Sequence, residues 1–245
     1  MALMSGATLA APLTFCFEDI PQRPWSQPDG SGLNIVLLKR VENLLGEQFI
    51  YISKPWKRCQ EEVRMSIADG FFGAADSVER RRYSVFPMHA DGSVDAAAAI
   101  YEDRFNVYIR SGGKAKWDGK KISSPQRAVV VQRGYLVATL LQEQGVAIND
   151  SVKTAAEGLA VLASGQADVA VLQGIESENL VNLDPKFKGM FVSSDLPYAV
   201  LPLYLAINKN TYLRDSKRVK AIWAAIRAER NSAGYRKLLD SAGVK

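Results

Sequence analysis

The chain holds one histidine, His89, and two cysteines, Cys16 and Cys59, in 245 residues. His89 stands in an irregular Met-His-Ala-Asp stretch with no Cys or His at ligand spacing. Neither a zinc site nor a nucleophile–base pair is indicated. The Gly-x-Ser-x-Gly elbow, the phosphate-binding P-loop and the Gly-x-Gly-x-x-Gly turn are all missing. No cofactor is therefore expected. There is no low-complexity tract, and no apolar run approaches the ~20 residues a membrane helix needs.

What is present is an ordinary globular composition, 47% hydrophobic and 23% charged. A fold of this length buries roughly 70–75% of its unfolded surface, so a core forms without metal or disulfide. The formal charge is +5, but the basic residues are spread out and mixed with acids. Only Lys217, Arg218, Lys220, Arg227 and Arg230 form one basic helix face, which solvation explains better than phosphate contact. Nucleic acid is not an expected partner. The two cysteines admit one pairing. A disulfide in an oxidising compartment and two buried thiols are both open readings. Residues 1–11, MALMSGATLAA, are small and apolar and read as a signal-peptide remnant or leader outside the fold, which points to export.

Hydrophobic periodicity sets the element order. Leu13–Phe17 is a buried strand, followed by Glu18 and by a Pro- and Gly-rich loop carrying Trp25. Leu37, Leu38, Val41, Leu44 and Leu45 share one face of a helix over Leu33–Leu45, stopped by Gly46. Residues 48–53 form a second strand. Pro55 opens a helix whose inward stripe is Cys59, Val63 and Ile67. Phe71–Ala75 is apolar enough to be buried on both faces. Strand, helix, strand, helix, strand is a parallel α/β unit.

Residues 100–109 read as an extended crossing. A second unit then begins at Arg127, with a strand over 128–132, a tight turn at Arg133-Gly134 and a helix from Tyr135 to Gln144. A strand at Val146–Ile148 follows, then a helix capped by Ser151 with Val152, Ala155, Ala156, Leu159 and Leu162 on one face. Residues 168–172 form a further buried strand. Ile67-Ala68-Asp69 and Gln166-Ala167-Asp168 each lead into such a strand, an echo between the units. Tyr198–Asn208 is a second extended crossing, and two helices close the chain. Two crossings around a continuous middle unit imply an α/β protein of two lobes joined by a two-strand hinge. The expected lobes are 12–103 with 201–245, and 104–200, hinged near Ile100–Phe105 and Val200–Tyr204.

Ligands in open α/β sheets bind beyond the carboxyl ends of strands. Arg80 follows such an end and presents a fork suited to a carboxylate. Its neighbours Arg81 and Arg82 make a solvated turn the bland alternative.

In order along the chain stand Pro24-Trp25, a Gly-rich entry to the first helix, Trp56 at the start of the second, Ser77-x-x-Arg80, Gly134 after a strand, and Gly165-x-x-Asp168. With this ordered set the chain resembles the extracellular solute-binding proteins of family 3, the polar amino-acid receptors of bacterial ABC importers. The resemblance implies a periplasmic-binding-protein-like (type II) fold, a periplasmic monomer, and a membrane permease as partner. It implies that Arg80 clamps a ligand carboxylate, that Trp56 stacks on the ligand, and that Gly73, Ala75, Tyr135 and Leu136 help through the backbone after their strand ends. Trp25 and Glu18 would line the cleft mouth, and Gln132 would stand where a ligand-contacting basic residue occurs. Two positions depart from the pattern. Ala75 replaces a hydroxyl residue, and Gln173 replaces the aspartate that holds an α-ammonium. Either Glu176 or Glu18 substitutes, or the ligand lacks an α-ammonium, as a small organic acid or an unusual amino compound would. Packing is the competing role for Trp56, and turn formation for Ser77. Two other uses of the fold stand as alternatives: a periplasmic cyclohexadienyl-dehydratase type of enzyme, with Glu18 or Glu176 as general acid, and a sensor domain.

Overall fold

A computed structural model describes residues 11–244. The leader expectation, apart from Ala11, lies outside the described residues. The elements begin with β1 (Leu13–Glu18), α1 (Leu33–Leu45), β2 (Phe49–Lys54), α2 (Trp56–Arg64), β3 (Gly70–Ala75) and the short β4 (Ser84–Val85). Next come β5 (Tyr101–Arg110), the hairpin of β6 (Lys116–Trp117) and β7 (Ile122–Ser123), β8 (Val129–Gln132), α3 (Leu136–Glu143), β9 (Ile148–Val152) and α4 (Ala155–Ala163). The chain ends with β10 (Val169–Gln173), α5 (Gly174–Leu183), β11 (Phe191–Ser193), β12 (Ala199–Asn208), α6 (Lys209–Arg214), α7 (Ser216–Arg230) and α8 (Ala233–Ser241).

The main sheet runs β2-β1-β3-β12-β5-β10-β8-β9. Its two halves mirror each other. In one, β1 pairs in parallel with β2 and β3, and β12 adds antiparallel to β3. In the other, β8 pairs in parallel with β9 and β10, and β5 adds antiparallel to β10. The ten-residue strands β5 and β12 pair with each other between Tyr101–Phe105 and Ala199–Leu203. They are the crossings expected from sequence, and they join two α/β lobes. The echoed acids have matching jobs. Asp69 accepts from the Thr14 backbone N–H at 2.9 Å, and Asp168 from that of Gln126 at 3.0 Å, so each carboxylate ties the entry of its strand to the neighbouring one.

One core packs α1, α7 and α8 on the first half-sheet through Leu37, Leu38, Val41, Ile222, Ile226 and Tyr235. A second is continuous across both halves, with Cys59, Val63 and Phe71 joined to Val131, Val137 and Leu141 through Phe105 and Tyr204. A third lies under α4 and α5. Cys16 and Cys59 form a disulfide that pins α2 to β1, which decides between the two readings of the pair.

Local expectations fail where a tertiary contact outweighs the sequence pattern. α2 stops at Arg64, and Ile67 is 63% exposed instead of continuing the inward stripe. Val146 precedes the strand, which runs 148–152 against β8, so Ser151 and Val152 belong to β9. The cap of α4 is Thr154, in a reciprocal capping box with Glu157. Helix α6 and the short strands β4, β6, β7 and β11 carry patterns too brief to register as periodicity, and α5, although ten residues long, has no clear apolar face: only Gly174, Ser177 and Val181 are buried.

Candidate functional site

The site forms where β1, β3, β8 and β10 end and the hinge strands pass between them. The turn after β3 sorts the three arginines. Arg81 makes a bidentate pair with Asp76 at 2.7 and 2.6 Å near the surface, and Arg82 is exposed. Arg80 is held differently. Ser77 Oγ accepts from its backbone N–H at 3.2 Å, and its own carbonyl accepts from Ser84 Oγ at 2.7 Å. Ser77 is thus the turn-former. The Arg80 side chain is only 5% exposed. Its Nη1 donates to the Ala75 carbonyl at 2.6 Å and its Nη2 to the Gly134 carbonyl, on the other lobe, at 3.3 Å. The guanidinium lies 5.5 Å from the Trp56 ring centroid. Among the described residues no carboxylate pairs with it. Burial pulls its pKa down, but a guanidinium stays charged.

Trp56 is buried, edge-on to Phe71 with centroids 5.5 Å apart, and so serves the core and the site together. Gly134 has φ +78°, and a Cβ there would stand 3.3 Å from the Trp56 ring. Glycine lets the two lobes meet at this point. Gly73, at φ +76°, lines the cavity beside Phe72 and Ala75. The Ala75 carbonyl is engaged by Arg80 itself.

Glu18, at the end of β1, is 8% exposed and accepts the Trp56 backbone N–H at 3.3 Å. Burial pushes its carboxyl up to about 8. The Tyr135 hydroxyl accepts a 2.7 Å bond from Gln22 Nε2 across the cleft. Gln132 uses its Oε1 to accept the Gln173 backbone N–H at 2.9 Å, which ties the ends of β8 and β10 together. Gln173 opens α5 and donates from Nε2 to Asp103 Oδ2 at 2.5 Å. Burial also raises the Glu176 carboxyl, with Arg23 opposing.

Glu18, Gln22, Trp56, Arg80, Tyr135, Leu136 and Gln173 bound a cavity of about 30 Å³. A second, of about 20 Å³, is bounded by Trp25, Asp103, Gln132, Gln173 and Glu176. Both also touch Gln22 and Tyr135. The lobes meet at this point through the Arg80–Gly134 and Gln22–Tyr135 hydrogen bonds, which narrow the cleft to these two spaces. A broad groove of about 1070 Å³, reaching Arg80, Gly134 and Tyr135, runs along its outer side.

The structure brings together the residues expected from sequence, but neither residue expected at the cleft mouth stands there: Glu18 is 8% exposed, buried at the end of β1. Trp25 is not at the mouth: it is 5% exposed and stacks on Tyr101 at 4.2 Å. Gln22, Tyr101 and Asp103 were not expected. The signal for Asp103 was present, because Tyr101, Asp103 and Phe105 share the buried face of an alternating strand. An acid on that face is out of pattern.

No protein-family model matches the sequence, and no curated protein matches it. Solved structures do match the fold. One is a substrate-binding protein of an amino acid ABC transporter, at TM-score 0.68 and 14% identity over 96% of this chain and 100% of that one. Another is a histidine kinase sensor domain with similarity to periplasmic binding proteins, at 0.71 and 15% over 94% and 95%. A third is an ancestral amino acid-binding protein, a precursor of cyclohexadienyl dehydratase, at 0.69 and 18% over 94% of both chains. At these identities the likeness is one of fold. It is the two-lobed, periplasmic-binding-protein-like architecture.

Proposed function

We propose that the chain is the substrate-binding component of an ABC importer, capturing a small carboxylated solute, an amino acid or a related organic acid, by hinge closure. The lobes are 12–103 with 201–245, and 104–200, and the moving parts are the paired segments of β5 and β12. One observation carries the reading. Arg80 is buried between the lobes, its guanidinium bridges two backbone carbonyls, and no carboxylate of the described chain stands within ion-pair distance of it, Asp76 and Glu79 acting only from further away. Leaving such a charge unpaired costs several kcal/mol, so an anionic ligand that supplies the missing partner also stabilises the closed form. The Cys16–Cys59 disulfide supports an oxidising, periplasmic compartment. No described helix is long and apolar enough to cross a membrane. A monomeric receptor delivering its load to a separate permease follows from this reading.

A second reading has its own observation. Glu18 shares the Arg80 cavity, and its carboxyl, pushed up to about 8, carries a proton at neutral pH. Such a group suits a general acid acting on a carboxylated substrate, as in a dehydratase. The decisive experiment is a thermal-shift screen of amino acids and organic acids, followed by recovery of each hit by mass spectrometry after prolonged incubation. A receptor raises its Tm with ligand by mass action and returns the solute intact. A changed solute favours the enzyme, and no carboxylate hit at millimolar concentration refutes the carboxylate site.

A further inference from the structure

The strand end that meets the cleft from the second lobe is neutral at Gln173, and the charge it lacks stands next to it. Asp103 lies on the hinge strand β5, 4% exposed. Its Oδ2 accepts from Gln173 Nε2 at 2.5 Å and its Oδ1 from the Arg104 backbone N–H at 2.8 Å. No cation among the described residues pairs with it. Gly174, at φ +79°, makes room for it. A Cβ at that position would lie 3.1 and 3.2 Å from the two carboxylate oxygens. Beside it the Tyr101 hydroxyl is buried with no hydrogen-bond partner, although Gln173 and Asn34 are its neighbours. The buried polar atoms of Asn34 are likewise unpartnered. A buried acid without a cation and an orphaned hydroxyl beside it are costly unless something completes them.

We propose that Asp103, presented through Gln173, is the counter-charge for a cationic nitrogen of the solute, so that the cleft selects a carboxylate that also carries an ammonium. This rests on the carboxylate reading of Arg80 and narrows its substrate class. Gln173 borders both compartments, so it links the Arg80 grip to the Asp103 charge. Because Asp103 belongs to a hinge strand, occupation of this position acts directly on the element that bends. A neutral amide at 173 then serves as a relay: it donates to the acid from Nε2 and keeps its carbonyl oxygen as an acceptor for the ammonium.

The test uses the purified chain and four probes on one six-carbon skeleton: hexanoate, L-2-aminohexanoate, 6-aminohexanoate and L-lysine. The standard amino acids, each beside its des-amino carboxylate, extend the set. Affinities are measured by calorimetry for the wild type and for Asp103→Asn, which keeps an acceptor for Gln173 but removes the charge. The expected result is a preference of about tenfold or more for an ammonium-bearing probe over its des-amino partner, the worth of one charge-assisted hydrogen bond. Asp103→Asn should reduce that preference to within about threefold, with carboxylate binding retained. Wild-type protein that binds des-amino carboxylates as tightly overturns the proposal without any variant, and so does a preference that survives in Asp103→Asn. If no carboxylate binds at all, the Arg80 reading falls and this one with it. If carboxylates bind without regard to the ammonium, only the Asp103 assignment falls.

Discussion

Gln22 and Tyr135 meet across the narrowed cleft, the amide of one donating to the hydroxyl of the other at 2.7 Å although 113 residues separate them. The bond joins the loop after β1 to the turn after β8, and it divides the cavity into its two compartments. Tyr135→Phe removes the acceptor and keeps the ring. A single neutral hydrogen bond is worth about 0.5–1.5 kcal/mol, so solute dissociation should accelerate roughly two- to tenfold with little change in association. Stopped-flow tryptophan fluorescence reads both rates, and an unaltered dissociation rate would show that the bond does not hold the cleft shut.

Arg80 offers a separation of stability from function. Replacing it with Met discards hydrogen bonds to two backbone carbonyls and to Gln60 Oε1, but also a buried charge that has no ion-pair partner. These terms oppose each other. The ligand-free Tm of Arg80→Met should move by no more than a few degrees, while carboxylate affinity should fall about 100-fold. A Tm loss above roughly 10 °C would instead mark Arg80 as a structural pillar.

The two buried carboxyls give the closed form a sloping pH profile. Glu18 lies at about 8 against an ordinary 4.5, and Asp103 at about 7 against 3.8, both through burial. Between the ordinary and the raised values the folded protein holds protons that the unfolded chain has released. Stability is therefore greatest near and below pH 4 on this account and declines as pH rises toward 8, by up to about 1.4 kcal/mol per pH unit per group. Denaturant titrations from pH 5 to 8 should show the decline, and Glu18→Gln should flatten it. A cation placed beside Asp103 would expel its proton. Near pH 6, calorimetry in buffers of differing ionisation enthalpy should thus detect proton release on binding an ammonium solute, absent in Asp103→Asn.

The disulfide closes a loop of 43 residues. Chain entropy puts its contribution at about 4 kcal/mol, which for a chain of this size is roughly 8–16 °C in Tm. The Cys16→Ala/Cys59→Ala double variant, compared with the oxidised wild type by calorimetry, should show a loss of that order. Because Cys59 sits three residues from Trp56 on α2, solute affinity should weaken alongside. A Tm within 2 °C of the oxidised protein would mean that core packing alone sets the position of α2.

Gly174→Ala puts a methyl group at φ +79° and against the Asp103 carboxylate. The backbone strain alone is about 1–3 kcal/mol. A lower Tm, together with a weakened preference for ammonium-bearing solutes, is expected. A variant with unchanged Tm and selectivity would place the Asp103 carboxylate elsewhere.

Much of the fold was legible because it rests on local pattern. Leu37, Leu38 and Val41 announce α1 by their spacing. The apolar runs of β3, β8 and β10 announce strands buried on both faces, and Gly46 and Gly165 end their helices. The boundary between β9 and α4 was not legible. Val152 fits a helical face as well as a strand end, and only the pairing of β9 with β8 chooses between them. On the site side, Arg80 stood out by its place after β3, whereas its distinction from Arg81 and Arg82 is a matter of burial and of Asp76 drawing Arg81 away.

The sequence by itself determined the two α/β units, the crossings that join them, and a basic fork at the end of a buried strand. Periodicity and turn chemistry act within a few residues and can be read from them. The tertiary structure alone decided that the cysteines bond, that Trp25 turns inward against Tyr101, and that Asp103 stands beside Gln173. These are meetings between residues 43 to 76 positions apart along the chain. Loop closure carries little sequence preference at such separations. What brings them together is the shared burial of two half-sheets, and that is a property of the whole chain.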